Sequence, residues 1–151
     1  MRNTLLRLAR AAGLFSLARR RVHGSLLILA YHGLAQADEE RWRPQLFMNR
    51  ATFQRRLELI RRWDVPIVRL GDGLDHLKRN GEQPYAIAIT FDDGYYNFAS
   101  LVTPDLTRIR TEAMVYVCSY YSLHPGWPVF DLAVDYMIWS RPARRVPGAV
   151  G

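Results

Sequence analysis

The sequence predicts an α/β fold, a mainly parallel sheet covered by helices. Three observations carry this expectation. Short apolar runs recur at Leu26–Ala30, Pro66–Leu70, Tyr85–Thr90 and Ala113–Cys118, each of a length suited to a buried strand. Helical spacing lies between them, most clearly at Phe53, Leu57 and Ile60, which fall at i, i+4 and i+7. Glycines and a pair of aspartates break the chain after these runs, as at Gly33, Gly71 and Asp92-Asp93-Gly94.

Taken in order, residues 1–24 read as a basic helical segment. Arg2, Arg7, Arg10, Arg19, Arg20 and Arg21 accompany Leu5, Leu8, Ala12 and Phe15 on one helical face. That face suits docking or peripheral contact with a membrane surface. Residues 25–140 form the main unit. Leu26–Ala30 is its first strand, and Asn49 caps a helix that runs through about Trp63. Pro66–Leu70 is a short strand, and Leu74–Arg79 a short helix ended by Asn80-Gly81. Tyr85–Thr90 is the next strand. A helix covers Tyr96–Arg110 and restarts near Thr103-Pro104, a good N-cap and N1 pair. Ala113–Cys118 is the fourth strand. Pro125, Gly126 and Pro128 mark a loop, and Asp131 begins a last helix that ends near Trp139. Residues 141–151 lack periodicity and read as a disordered tail.

Composition narrows the class. The chain has 151 residues, 49% hydrophobic and 23% charged, which is ordinary for a globular domain. A single cysteine, Cys118, rules out an internal disulfide, and without a Cys/His cluster a zinc finger is excluded. The net charge of +7 reads as a solvated basic surface. Aromatic residues do not interleave with it as in a nucleic-acid module, so no nucleic acid is expected as a partner. No run reaches the roughly 18 apolar residues of a membrane span, and no clear secretory signal is present. The compartment stays open on these grounds.

The stretch with chemical content is Ala86-Ile87-Ala88-Ile89-Thr90-Phe91-Asp92-Asp93-Gly94-Tyr95. An apolar strand ends in two adjacent carboxylates, and sites in parallel α/β folds gather at the carboxyl ends of strands. Neighbouring carboxylates repel and raise each other's pKa, which a bound cation would relieve. The pair therefore suits one metal ligand and one general base. The plain alternative is a strand-ending Asp-Gly turn. A second element lies 60 residues upstream, where Leu29-Ala30-Tyr31-His32-Gly33 ends another apolar run. If both strands share one parallel sheet, His32 and the aspartates open on one rim. Histidine there can serve as an acid–base group, or simply bond to nearby backbone.

Together, Tyr31-His32-Gly33 and Thr90-Phe91-Asp92-Asp93-Gly94-Tyr95 resemble the polysaccharide deacetylase family that shares the NodB homology domain. The likeness runs from about Leu26 to Trp139, and the early Tyr-His element is similar to the branch acting on bacterial poly-N-acetylglucosamine. The resemblance implies a distorted (β/α) barrel of the NodB type, of which about four parallel strands are present here. It implies hydrolysis of an N-acetyl amide on a sugar polymer, in the cell envelope or outside the cell. By position Asp92 would be the general base, Asp93 a ligand of a divalent metal, usually zinc, and His32 the acid for the leaving amine. The backbone amide of Tyr95 would help hold the oxyanion of the bound substrate.

The family completes its metal site with a later His-x-x-x-His pair. The four histidines here, His23, His32, His76 and His124, contain no such pair. The expectation is therefore an N-terminal portion that stops before those ligands and is inactive by itself. His124, before Pro125, reads as a loop histidine, and His76 sits on a surface helix. Asp131 reads as a cap or first-turn acid and Asp135 as solvated. Trp127 and Trp139 read as core or loop packing. The alternative function is a non-catalytic carbohydrate- or envelope-binding remnant. A phosphatase using an aspartate after a strand fits the Asp-Asp-Gly order poorly.

Overall fold

The computed structural model describes residues 4, 11–14, 24–78 and 85–141. Most of the N-terminal basic segment, His23, Arg79–Asn80-Gly81 and the tail after Arg141 lie outside the described residues. The described chain is mixed α/β, with a three-stranded parallel sheet and helices around it.

The sheet centres on β4 (Ala86–Phe91), flanked by β1 (Leu26–Tyr31) and β5 (Met114–Val115). A two-residue parallel pair, β2 (Gly33–Leu34) with β3 (Phe47–Met48), stands beside it. All six residues of β4 are buried, as expected of a parallel strand covered on both faces. Its even-numbered positions bond to β1: Ala86 N–H donates to Ser25 O at 3.0 Å and Asp92 N–H to Tyr31 O at 2.8 Å. Its odd-numbered positions serve the other edge. Ile87 N–H donates to Pro66 O at 2.9 Å, and Phe91 O accepts from Tyr116 N–H at 2.8 Å.

That shared edge corrects two expected strands. Pro66–Leu70 makes a single bridge, Ile67 to Ile87, before the chain turns into a helix at Leu70. Farther along β4 the same edge belongs to Met114 and Val115, so the segment has no ladder left to extend along. The expected strand Ala113–Cys118 likewise shortens to Met114–Val115, because β4 ends at Phe91.

The helices follow in chain order. Helix α1 (Glu39–Trp42) was not expected. Helix α2 (Arg50–Arg62) is capped as predicted, Asn49 Oδ1 accepting from Ala51 N–H at 2.9 Å. It buries Phe53, Leu57 and Ile60. Helix α3 (Leu70–Lys78) starts four residues before the expected Leu74. Its Gly73 packs against Leu26, where a Cβ would lie 2.7 Å from a methyl carbon.

The predicted restart at Thr103-Pro104 takes a different form. A π-helical turn, Phe98–Val102, runs directly into α4 (Thr103–Arg108). Pro104 has no N–H to continue the i→i−4 ladder, and a widened turn accommodates it. The Thr103 hydroxyl donates back to Phe98 O at 3.3 Å instead of capping the following helix. Helix α5 (Ser119–Leu123) was also unexpected, and α6 (Phe130–Ser140) matches the predicted last helix within a residue.

The core joins sheet to helix through an aromatic cluster. Phe53, fully buried, meets Tyr31 edge-on at 5.5 Å and Phe91 at 5.8 Å, while Tyr31 stacks on Phe91 at 5.4 Å. Leu34, Leu57, Ile87, Ile89 and Val102 close around it. Trp127 and Trp139 lie outside this core, 64% and 44% exposed, and pack locally instead, against His124 at 6.3 Å and Tyr136 at 6.1 Å. No described helix is long and apolar enough to cross a membrane.

A polar tie holds α4 on α2. Asp105, only 3% exposed, accepts from Arg50 Nε at 2.9 Å, Arg50 Nη2 at 3.1 Å and Gln54 Nε2 at 2.9 Å. Burial pushes its carboxyl pKa up, but the bonds from Arg50 and Gln54 outweigh burial and hold it below the ordinary range. Asp105→Ala should cost about 1 to 2 kcal/mol, reduced by the partial solvent access of Arg50. A depressed folded pKa stabilises above the unfolded value and is lost on acidification. The gap between wild type and variant in urea unfolding should therefore close as the pH falls below about 3.9.

Candidate functional site

The site forms where β1 and β4 end together. The parallel register pairs Tyr31 with Phe91, so His32 and Asp92 leave the sheet side by side. The two motifs, 60 residues apart in sequence, thus open on one rim, as expected if their strands share one parallel sheet. Asp92 is half-buried at the β1–β4 seam, tied by its amide to Tyr31 O.

Beyond Asp92 the chain turns sharply. Asp93 and Gly94 both adopt left-handed backbone, with φ of 67° and 65°. Aspartate tolerates this region better than most residues. At Gly94 the turn brings the chain against β5's exit: a Cβ would lie 3.2 Å from Val117 Cα and 3.1 Å from its Cγ2. Gly94→Ala combines this contact with the positive φ and should cost about 1 to 3 kcal/mol in chemical denaturation. Gly33 carries a second close approach. A Cβ there would lie 2.8 Å from the Asn97 side-chain amide. Asn97 is itself buried and donates to Leu34 O at 2.7 Å, which fixes the turn after His32.

Asp93 faces a cleft of about 470 Å³, lined also by Tyr95, Cys118, Tyr121 and Asp131. Tyr95 shares this cleft with Asp93. Burial first, then its interaction with the Asp93 carboxylate and the charge of Asp131, push the Tyr95 phenol well above its usual range, against an opposing pull from Arg43. Tyr95 therefore stays protonated. Its ring packs on Phe47 at 5.3 Å. Asp92 does not line this cleft. His32 opens into a separate, smaller cavity of about 270 Å³ on the β1 side. The structure thus brings Asp93 and Tyr95 together, with Asp92 beside them at the seam and His32 in the neighbouring compartment.

The far wall of the cleft was missed in the sequence. Asp131 lies in the first turn of α6, whose N-cap is Val129, and Arg43 ion-pairs with it at 3.9 Å. Asp135, expected to be solvated, also pairs with Arg43, because α6 docks on α1 with Trp42 and Tyr136 in contact at 5.5 Å. Only the acidic i, i+4 pair was visible beforehand. His124 is a local structural histidine, its Nδ1 2.8 Å from Tyr120 O and its ring stacked on Tyr120. His76 lies on α3 as expected, partly buried, with its Nε2 lacking a hydrogen-bond partner.

The donor set does not complete a metal site. Among the described residues no group of three His, Cys, Asp or Glu side chains is placed to hold a cation. A catalytic zinc needs three protein ligands and an open position.

The fold and rim define a parallel α/β protein with an acidic cleft at its strand ends. No protein-family model matches the chain, and no curated protein sequence matches it significantly.

Proposed function

We propose that this chain is the N-terminal part of a metal-dependent hydrolase domain that removes N-acetyl groups from a sugar polymer, as the polysaccharide deacetylases do. The observation that carries this reading is the seating of Tyr31-His32-Gly33 and Thr90-Phe91-Asp92-Asp93-Gly94-Tyr95 at the ends of two hydrogen-bonded parallel strands. In this reading Asp92 takes the proton of the attacking water and His32 protonates the leaving amine, giving acetate and a free amine. The Tyr95 backbone N–H serves the oxyanion. Asp93 is the one metal ligand assigned to this chain, and the histidine pair comes from further chain.

Surface chemistry supports a larger barrel. Val117 beyond β5 is 60% exposed, and Phe130 and Ile138 on α6 are 74% and 70% exposed. Large apolar side chains grouped at a sheet edge and on one helix mark a face that other structure covers. Further strands and helices of the same domain would do so. An envelope or extracellular polymer is the substrate that the reading implies.

The test is acetate release from N-acetylglucosamine oligomers in the presence of zinc. The chain alone should release none. The chain extended by a deacetylase segment carrying His-x-x-x-His should release acetate. Robust release by the chain alone, lost in Asp92→Asn, would overturn the incomplete-site reading.

A further inference from the structure

We propose that the cavity on the β1 side of the rim binds a small oxyanion, of carboxylate or phosphate class, between the Arg56 guanidinium and the His32 ring. Both side chains line this pocket of about 270 Å³, together with Gln45 and the apolar Phe47 and Met48. Among the described residues, no Asp or Glu lines it. This contrasts with the adjoining cleft, which presents Asp93 and Asp131. The rim is therefore divided into an acidic and a basic compartment.

No carboxylate among the described residues lines the basic compartment, and the acid beside His32 is Asp92 at the end of the paired strand. Among the described residues the ion pairs engage Arg43, Arg50, Arg69 and Lys78, and Arg56 is in none of them. Its guanidinium instead lies over the Tyr31 ring, 5.9 Å from the centroid. A cation–π contact orients the planar group without neutralising it, which leaves its N–H fork for a planar or tetrahedral oxyanion. His32 is half-buried and makes no hydrogen bond among the described residues. An imidazole offers an N–H donor in either charge state. Tyr31 itself is fixed between Phe53 and Phe91, so the platform beneath Arg56 is rigid. This inference does not rest on the hydrolase reading, because cavity shape and uncompensated charge alone carry it.

The experiment titrates the full isotope-labelled chain with sodium acetate and, separately, with inorganic phosphate. Ionic strength is held constant with chloride, and the His32 ring and Arg56 side-chain resonances are followed. We expect saturable shifts at both residues at millimolar concentration. Affinity should fall by about tenfold in Arg56→Gln and in His32→Gln, and stay unchanged in Arg61→Gln on the same helix. The tighter of the two probes identifies the class. Shifts that remain linear with both salts, or saturation that both variants leave intact, overturn the proposal.

Discussion

Phe53→Ala should lower the unfolding free energy by about 3 to 5 kcal/mol, the range for emptying a fully buried aromatic site. Phe53 has no solvent exposure and stands edge-on to both Tyr31 and Phe91. Removing it leaves a void between α2 and the sheet and also cancels two aromatic contacts worth about 0.5 to 1.5 kcal/mol each. For a chain of this size the midpoint of thermal unfolding should drop by roughly 6 to 20 °C. Phe53→Leu keeps most of the volume and should cost well under half as much. Equal losses in the two variants would show that the cluster is not close-packed. The effect reaches the rim as well, since Tyr31 and Phe91 immediately precede His32 and Asp92.

The second large effect concerns the two aspartates. In the extended enzyme, Asp92→Asn should lower kcat/KM by about a hundredfold to ten-thousandfold while zinc content stays unchanged. On the proposed reading, Asp93→Asn should lower zinc content and activity together, because that reading makes it one of three ligands. The split follows from the backbone. Asp92 is held at the strand seam by its amide, whereas Asp93 is swung into the cleft by its left-handed turn. Equal zinc loss in both variants would contradict the assignment of separate roles. Tyr95→Phe offers a finer check. It removes the hydroxyl from the cleft without removing the ring that packs on Phe47, so stability should change little.

Much of this arrangement was legible before the structure. Helix α2 was readable because one capping side chain and one apolar stripe, Asn49 with Phe53, Leu57 and Ile60, report local geometry directly. Strands β1 and β4 were readable as apolar runs, whereas their direct pairing, on which a common rim depended, came only with the structure. What failed depended on partners distant in sequence. Pro66–Leu70 has strand composition but shares β4's edge with β5, and competition for that edge leaves it one bridge. Thr103-Pro104 has the chemistry of a helix start, yet the preceding turn widens and the helix continues. The short β2–β3 pair holds two residues per strand, too few to leave a periodic signal. Asp131 and Asp135 gained their roles only when α6 docked against Arg43, a contact that no local pattern announces.

The central claim is that the rim is part of a deacetylase metal centre whose remaining ligands follow in further chain. The most direct measurement is to resequence the gene and read past the codon for Gly151 in all three frames. The account predicts a downstream apolar strand that leads to a His-x-x-x-His pair. A genuine stop with no such pair in any frame would contradict the catalytic reading for this chain.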